Sequence, residues 1–317
     1  MEYRRLGRSG LKTSEVALGS WLTYGTVTER DAAIACVHRA YELGINHFDC
    51  ANMYGAKPHA AEDVLAEALK EFPRSSYILT TKAYWPVGPG PNDRGLSRKH
   101  IMEQVHESLR RLRTDYLDIM YCHRYDPETP VDETMRALDD LVTQGKVLYI
   151  GVSEWTAAQL MEGVATNREL GLDPITASQP VYNMLTRRIE AEELPVAARE
   201  GIGIVAFSPL AQGVLTGKYR SGQIPSGSRA ADPTVGKFVN RYLTEANLAK
   251  VEKLRAIAQN RGISLAQLAL AWILRQPAVS SVLVGATRTE QVDDNAGASG
   301  IKLSGAELQA IEDALNG

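Results

Sequence analysis

The sequence predicts an α/β protein of the closed (β/α)8, or TIM-barrel, type, and three observations carry the prediction. Eight short apolar segments rich in Val and Ile alternate along the chain with stretches of helical periodicity. The segments are apolar without polar alternation, as parallel strands covered on both faces are. No Gly-x-Gly-x-x-Gly occurs anywhere in the chain, although an open dinucleotide-binding sheet would want one after an early strand. A length of 317 residues suits such a barrel, which takes about 250 residues and more with insertions. With no repeat, low-complexity tract or linker in view, residues 1–317 read as a single barrel domain.

The elements follow in order. Tyr3 to Val16 reads as an N-terminal β-hairpin turning at Arg8-Ser9-Gly10. The strands are Val16–Gly19, His47–Asp49, Ile78–Lys82, Leu117–His123, Val147–Ser153, Ile175–Gln179, Ile204–Phe207 and Ser281–Gly285. Thr28 can cap a first helix with an acidic first turn and an apolar face at Ala32, Ile34, Ala35, Val37 and Ala40, ended by Gly44. Further helices are Ala61–Lys70, Ser97–Leu112, Val131–Gln144, Ala157–Leu170 and Glu190–Arg199. Three more follow, Thr244–Asn260 and Ser264–Arg275 as a longer insertion and the closing Ser304–Leu315, so the barrel carries extra C-terminal helices. Two segments break the rhythm: a Pro- and Gly-rich stretch at Tyr84–Leu96, and a long irregular one at Thr216–Leu243 with Lys218, Arg220, Arg229 and Lys237. Loops of that length in a compact domain are commonly lids or binding loops, and the basic content points to an anionic ligand.

Composition narrows the function classes. Hydrophobic residues at 44 % and charged residues at 23 % allow a large core and argue against disorder. A net charge of −3 gives no footprint for nucleic acid or an anionic membrane surface. Met1 to Arg5 is charged, so no secretory signal is expected, and no apolar run is long enough to span a bilayer. Cys36, Cys50 and Cys122 form no Cys-x-x-Cys and sit in apolar settings, which fits a reduced, cytoplasmic protein. The six histidines show no metal-ligand spacing, so no metal is expected.

Barrel chemistry sits at the C-terminal strand ends. The second strand ends at Asp49, the third at Lys82 and the fourth at His123, and Tyr54 lies in the loop after Asp49. Each alone has a structural reading, as a cap, a rim ion pair or a satisfied core histidine. Together they place three ionisable groups at successive buried strand ends, where unpaired charge is costly. A Lys82 paired with Asp49 would stay cationic and favour the Tyr54 phenolate, lowering its pKa. Tyr54 could then protonate a developing alkoxide while His123 orients the carbonyl. No side chain donates hydride, so a nicotinamide cofactor is implied. Phe207 offers a face for its ring, and Ser153 and Gln179 offer hydrogen bonds to an amide. Ser208-Pro209-Leu210-Ala211-Gln212-Gly213 offers a backbone cradle for pyrophosphate, with Lys218 and Arg229 as counter-charge. Gly285-Ala286-Thr287-Arg288 leads into a helix whose N-terminus suits a phosphate.

These residues stand in a recognisable pattern. Phe48-Asp49-x-Ala51-x-x-Tyr54-Gly55, Thr81-Lys82, Gln144-Gly145-Lys146-x-x-Tyr149-Ile150-Gly151-Val152-Ser153, Phe207-Ser208-Pro209-Leu210, Leu215-Thr216-Gly217-Lys218-Tyr219 and Gly285-Ala286-x-x-x-x-Gln291-x-x-x-Asn295 run through nearly the whole chain. The sequence resembles the aldo-keto reductases, in the branch of the voltage-gated potassium-channel β-subunits and related bacterial reductases. The resemblance implies a tetrad of Asp49, Tyr54, Lys82 and His123 with Tyr54 as acid, reducing aldehydes, with ketones as a further candidate class, using NADPH/NADP+. It implies Phe207 on the nicotinamide, and Ser153 and Gln179 on its carboxamide. Ser208, Pro209, Leu210, Gln212, Gly213, Lys218 and Arg229 would line the pyrophosphate. Gly285, Thr287, Gln291, Asp294 and Asn295 would surround the adenosine end. Trp21 would meet the cofactor and, with Trp85, wall the pocket of a small carbonyl substrate. Glu154 stands where many relatives carry Asn or Arg, and Phe207 where Trp or Tyr is common. The resemblance also implies a homo-oligomer, a tetramer or larger. It leaves open an NADPH-binding regulatory role like that of the channel β-subunits. A Schiff-base aldolase using Lys82 is the remaining barrel chemistry, and Asp49 beside the amine opposes it.

Overall fold

A computed structural model describes residues 1–220 and 223–316; Ser221 and Gly222 of the long basic loop, and Gly317, lie outside the described residues. Eight parallel strands close into a barrel. They are β3 (Val16–Gly19), β4 (His47–Asp49), β5 (Ile78–Ala83), β6 (Leu117–Cys122), β7 (Val147–Ser153), β8 (Ile175–Gln179), β9 (Gly203–Phe207) and β10 (Val279–Val284), with β10 pairing back onto β3. The antiparallel hairpin β1 (Tyr3–Arg5) and β2 (Lys12–Ser14) precedes them, closed by Leu6 N donating to Leu11 O at 2.8 Å. Every residue of β4, β5, β6, β8 and β10 is buried, which accounts for strands that read as unbroken apolar runs.

The barrel interior is filled rather than hollow. Ala17, Ile78, Ile119, Tyr121, Ala177, Val205 and Leu283 pack together inside it, and Leu6 joins them from the hairpin. The hairpin therefore plugs the N-terminal end. Gly151 makes this layer possible: a β-carbon there would lie 2.4 Å from the Tyr121 ring.

Helices wrap the outside: α1 (Arg30–Glu42), α2 (Ala60–Leu69), α3 (Arg98–Leu112), α4 (Val131–Thr143), α5 (Ala157–Leu170) and α6 (Glu193–Glu200). After β9 come α7 (Lys237–Asn240), α8 (Glu245–Arg261) and α9 (Leu265–Leu274), then α10 (Thr289–Ala296) and α11 (Gly305–Asn316). Side-chain caps start several of them. Ser97 and Thr244 accept from the N3 amide, and Thr156 and Ser264 form full capping boxes with Gln159 and Gln267. Every residue of α9 except Gln267 is buried, since the helix lies between the barrel and its helical neighbours.

Three local expectations change. Thr28 does not cap α1: Glu29 holds that position without a side-chain bond, and Thr28 is committed to a turn through Thr23 O. The helix expected over Glu190–Arg199 divides into a 3₁₀ turn at Arg188–Glu190 and α6. Pro195 explains the division, because a proline is accommodated in a first helical turn but not farther along. Strand ends shift by one residue, so that His123 and Gly285 follow their strands instead of ending them.

Candidate active site

Neighbouring strands bring the ionisable groups together at the C-terminal mouth. Asp49 ends β4 and pairs in register with Thr80 of β5, and Lys82 of β5 pairs with Tyr121 of β6. β8 lies four strands from β4, across the barrel, and Gln179 Nε2 reaches over the lumen to Asp49 Oδ1 at 2.9 Å. Thr80 Oγ1 donates to the same oxygen at 2.8 Å, and Lys82 Nζ donates to Asp49 Oδ2. Lys82 also donates to the Cys50 carbonyl at 2.6 Å. Both charges are withdrawn from water, and such a pair persists only when its remaining hydrogen-bonding capacity is met as well. Burial pushes the Lys82 ammonium pKa down, and Asp49 opposes that shift.

Tyr54 covers this pair. Lys82 Nζ lies 5.0 Å from its ring centroid, and its hydroxyl faces His123 Nε2 at 3.3 Å. The loop is pinned on both sides, since Tyr54 N donates to Ala51 O and Tyr54 O accepts from Ala61 N. The expectation that Lys82 draws the phenol toward acidity is corrected here. Burial pushes the Tyr54 pKa well above its ordinary value, Asp49 and Cys50 add to the rise, and Arg124 is the cation that opposes it. With Asp49 a hydrogen bond away, the Lys82 charge is largely compensated and projects little net field.

His123 is buried, with Nδ1 lacking a hydrogen-bond partner among the described residues. Burial, then Lys82 and Arg124, push its pKa well below the usual histidine value. His123 is therefore neutral at physiological pH, and Nε2 is the nitrogen that faces the mouth. Its ring resonances in a 15N-edited spectrum should not titrate between about pH 5.5 and 8. An imidazole that titrates near 6.5 would contradict the burial argument.

The residues expected at a cofactor divide into two groups. Ser153 Oγ donates to the Gln179 carbonyl at 2.9 Å, which joins two of them directly. Glu154 has φ +56° and accepts from Val181 N at 2.6 Å, so its carboxylate is occupied by the backbone. Phe207 ends β9 half-buried, edge-on to Trp21 with ring centroids 6.1 Å apart. After it, Ser208 (φ 51°), Ala211 (φ 46°) and Gln212 (φ 59°) are left-handed without being glycine, and Gly213 follows at φ 96°. Backbone strain of that kind costs roughly 1–3 kcal/mol per residue and collects at ligand sites. Gln212 braces the turn, donating to Ser208 Oγ at 2.5 Å and accepting from Arg229. Pro209 is buried beneath the turn and Leu210 half-exposed.

The second group lies after β10. Gly285 is exposed just past the strand, Gln291 accepts from Thr287 N at 2.9 Å, and Asn295 is buried in α10. The Asp294 carbonyl accepts from Gln267 Nε2 at 3.1 Å. Lys218 and Arg288 are drawn to the same rim. Crowding by protein atoms, then Arg229 and Arg288, lower the Lys218 pKa, as three neighbouring cations must. Among the described residues neither Lys218 nor Arg229 has a carboxylate partner, and Arg288 has only Glu290 at 3.8 Å.

Trp21 and Trp85 flank the mouth. Trp85 lies edge-on to His123 at 6.3 Å, and Trp21 packs at 5.2 Å on Phe238 of α7. Phe238, Thr80 and Arg124 went unnoticed in the sequence. Arg124 sits next to His123 in the chain, so its adjacency was the available signal; Phe238 lies in the irregular stretch, where no periodicity marks a direction.

A sequence model of the Aldo/keto reductase family matches residues 15–316. The chain belongs to the aldo/keto reductase family. It is 44 % identical over 298 residues to an Arabidopsis thaliana protein described as a probable voltage-gated potassium channel subunit beta, covering 93 % of this chain and 90 % of that one. It is 40 % identical over 319 residues to the L-glyceraldehyde 3-phosphate reductase of Escherichia coli, covering 98 % and 92 %. As an aldo/keto reductase it is an oxidoreductase, and the family generally uses NAD(P)H. The residues present fit such a group: cations without carboxylates face a strained turn whose backbone can follow a pyrophosphate. None of the described helices is long and apolar enough to cross a membrane.

Proposed function

We propose that this oxidoreductase reduces aldehydes, and ketones more slowly, with NADPH, and that Tyr54 is the general acid. The observation that carries the reading is the meeting of Tyr54, His123 and the Lys82–Asp49 pair within one water-poor mouth beside an uncompensated cationic rim. The bound cofactor supplies the hydride. Phe207 would hold its nicotinamide, Ser153 and Gln179 its carboxamide, and the Ser208–Gly213 turn with Lys218 and Arg229 its pyrophosphate. Thr287, Gln291 and Asn295 would take the adenosine end. Trp21 and Trp85 exclude water around the substrate.

Within that frame the chain's own groups have separate tasks. The Tyr54 hydroxyl donates its proton to the carbonyl oxygen as negative charge develops there. Because burial raises its pKa, the phenol is fully protonated at any working pH, which is the form the reduction needs. Neutral His123 orients the same oxygen through Nε2. Lys82 remains hydrogen-bonded to Asp49, and its positive end lies beneath the Tyr54 ring. That pairing removes the free amine a Schiff base would require.

The test is a steady-state screen of the purified protein. NADPH and NADH are each offered with 4-nitrobenzaldehyde, methylglyoxal and a panel of ketones, and cofactor absorbance is followed. Turnover with NADPH exceeding that with NADH, and aldehydes exceeding ketones, is the expected outcome. Inactivity across the panel with both cofactors would remove the reading.

The name of the Arabidopsis relative favours a second reading, in which the same cofactor site serves a regulatory protein with weak reductase activity. Tight NADPH binding combined with negligible turnover in the same screen would select it.

A further inference from the structure

One cation at the mouth has no place in the scheme above. Arg124 directly follows His123 and is half-buried. One of its terminal nitrogens donates to the His123 carbonyl at 2.5 Å, and its guanidinium carbon lies 5.5 Å from the Trp85 ring centroid. Trp85 in turn stands edge-on to the His123 imidazole. The guanidinium is thus fixed between a wall of the substrate mouth and the residue that faces Tyr54.

Two features set it apart. Several other arginines of the chain are compensated: Arg74 pairs with Asp118, Arg98 with Asp140, and Arg94 with Glu128. Arg124 has no carboxylate partner among the described residues, although guanidinium carries five donors in a fork that matches a phosphate or carboxylate. Its place in the barrel also separates it from the cationic rim. Arg124 follows β6, which lies four strands from β10 around the closed sheet, whereas Lys218, Arg229 and Arg288 collect after β9 and β10. The cofactor phosphates and Arg124 therefore face opposite sides of the mouth.

We infer that Arg124 is the recognition group for an anionic substituent, phosphate or carboxylate, on a short aldehyde substrate whose carbonyl meets Tyr54 and His123. The inference rests on the reductase reading and adds the substrate class to it. Trp85 holds the guanidinium from one side, and the His123 carbonyl fixes its plane, so that little side-chain freedom is lost when an anion arrives. The same charge reaches the Tyr54 phenol and opposes the rise of its pKa, so its neutralisation by a bound anion couples recognition to the proton donor.

Two matched pairs of substrates test it: glycolaldehyde phosphate against glycolaldehyde, and 4-carboxybenzaldehyde against 4-nitrobenzaldehyde. The wild-type protein should prefer the anionic member in kcat/KM. Arg124→Gln should lower the anionic-to-neutral ratio of kcat/KM roughly 10- to 100-fold, mostly through KM, and Arg124→Lys should recover part of it. The phosphate pair responding alone identifies phosphate as the ligand, and both pairs responding identifies either anion. Equal losses on both members of each pair would overturn the inference, as would no loss on either. Calorimetric titration of glycerol 3-phosphate into protein saturated with NADPH gives a readout independent of turnover. Binding by the wild type that is lost in Arg124→Gln supports the subsite even if no aldehyde is reduced, whereas binding unaffected by the substitution rejects it.

Discussion

Tyr54→Phe should lower kcat for aldehyde reduction by roughly 10²- to 10⁴-fold, the range for loss of a positioned general acid. NADPH affinity should stay within about twofold, because the phenol oxygen contacts His123 and none of the loops after β9 and β10. The two readouts together are diagnostic. A purely structural tyrosine would carry cofactor binding and thermal stability down with it. Here the ring remains over Lys82, and only the hydroxyl is deleted. Stopped-flow measurement of the chemical step and fluorescence titration of NADPH decide between the two. The raised phenol pKa adds a pH signature: wild-type reduction should show no alkaline decline below about pH 9, since the proton donor stays charged with its proton.

Asp49→Asn tests the pair beneath the phenol, and the largest effect is on stability. Lys82 is wholly buried, and the substitution removes its only carboxylate partner among the described residues. Stranding one member of a buried ion pair costs about 3–5 kcal/mol. The pH dependence follows from the direction of the Lys82 shift. Its folded pKa already lies below the unfolded value, and loss of Asp49 lowers it further. Between the folded and unfolded pKa values the unfolded chain binds more protons, so stability rises with pH there. The deficit of Asp49→Asn relative to wild type should therefore be greatest near neutral pH and shrink toward pH 10. Urea unfolding at the two pH values measures it, and a deficit independent of pH would refute the assignment. The effect on Tyr54 is opposite to what the isolated motif suggests. Asp49 raises the phenol pKa, so its direct removal relaxes that rise while weakening the cation under the ring.

Most of the architecture is written locally. The eight barrel strands are largely apolar runs bounded by Gly, Pro and polar turns, the hairpin is marked by its Arg8-Ser9-Gly10 turn, and Ser97, Thr156, Thr244 and Ser264 announce their helices. The Thr28 cap was misread because a threonine before an acidic turn has the same appearance whether its backbone is free or already bonded to Thr23. The site is legible for a related reason. Asp49, Lys82 and His123 sit at or beside strand ends, and a closed parallel barrel sends all such ends to one face.

Phe48 to Gly55 shows where local reading stops. The sequence determined which groups enter the mouth: a carboxylate, an ammonium and an imidazole placed by strand register to within a residue, and a phenol in the loop after the first of them. Only the tertiary structure decided their charges. Gln179 crosses the lumen to share Asp49, Asp49 compensates Lys82, burial outweighs Arg124 at Tyr54, and at His123 burial and the neighbouring cations act together to keep the ring neutral. It also decided that Arg124 lies against Trp85, without a carboxylate partner among the described residues. Identity and order along a strand are one-dimensional, but a pKa depends on every charge and dipole within several ångströms, and those come from strands far apart in the chain.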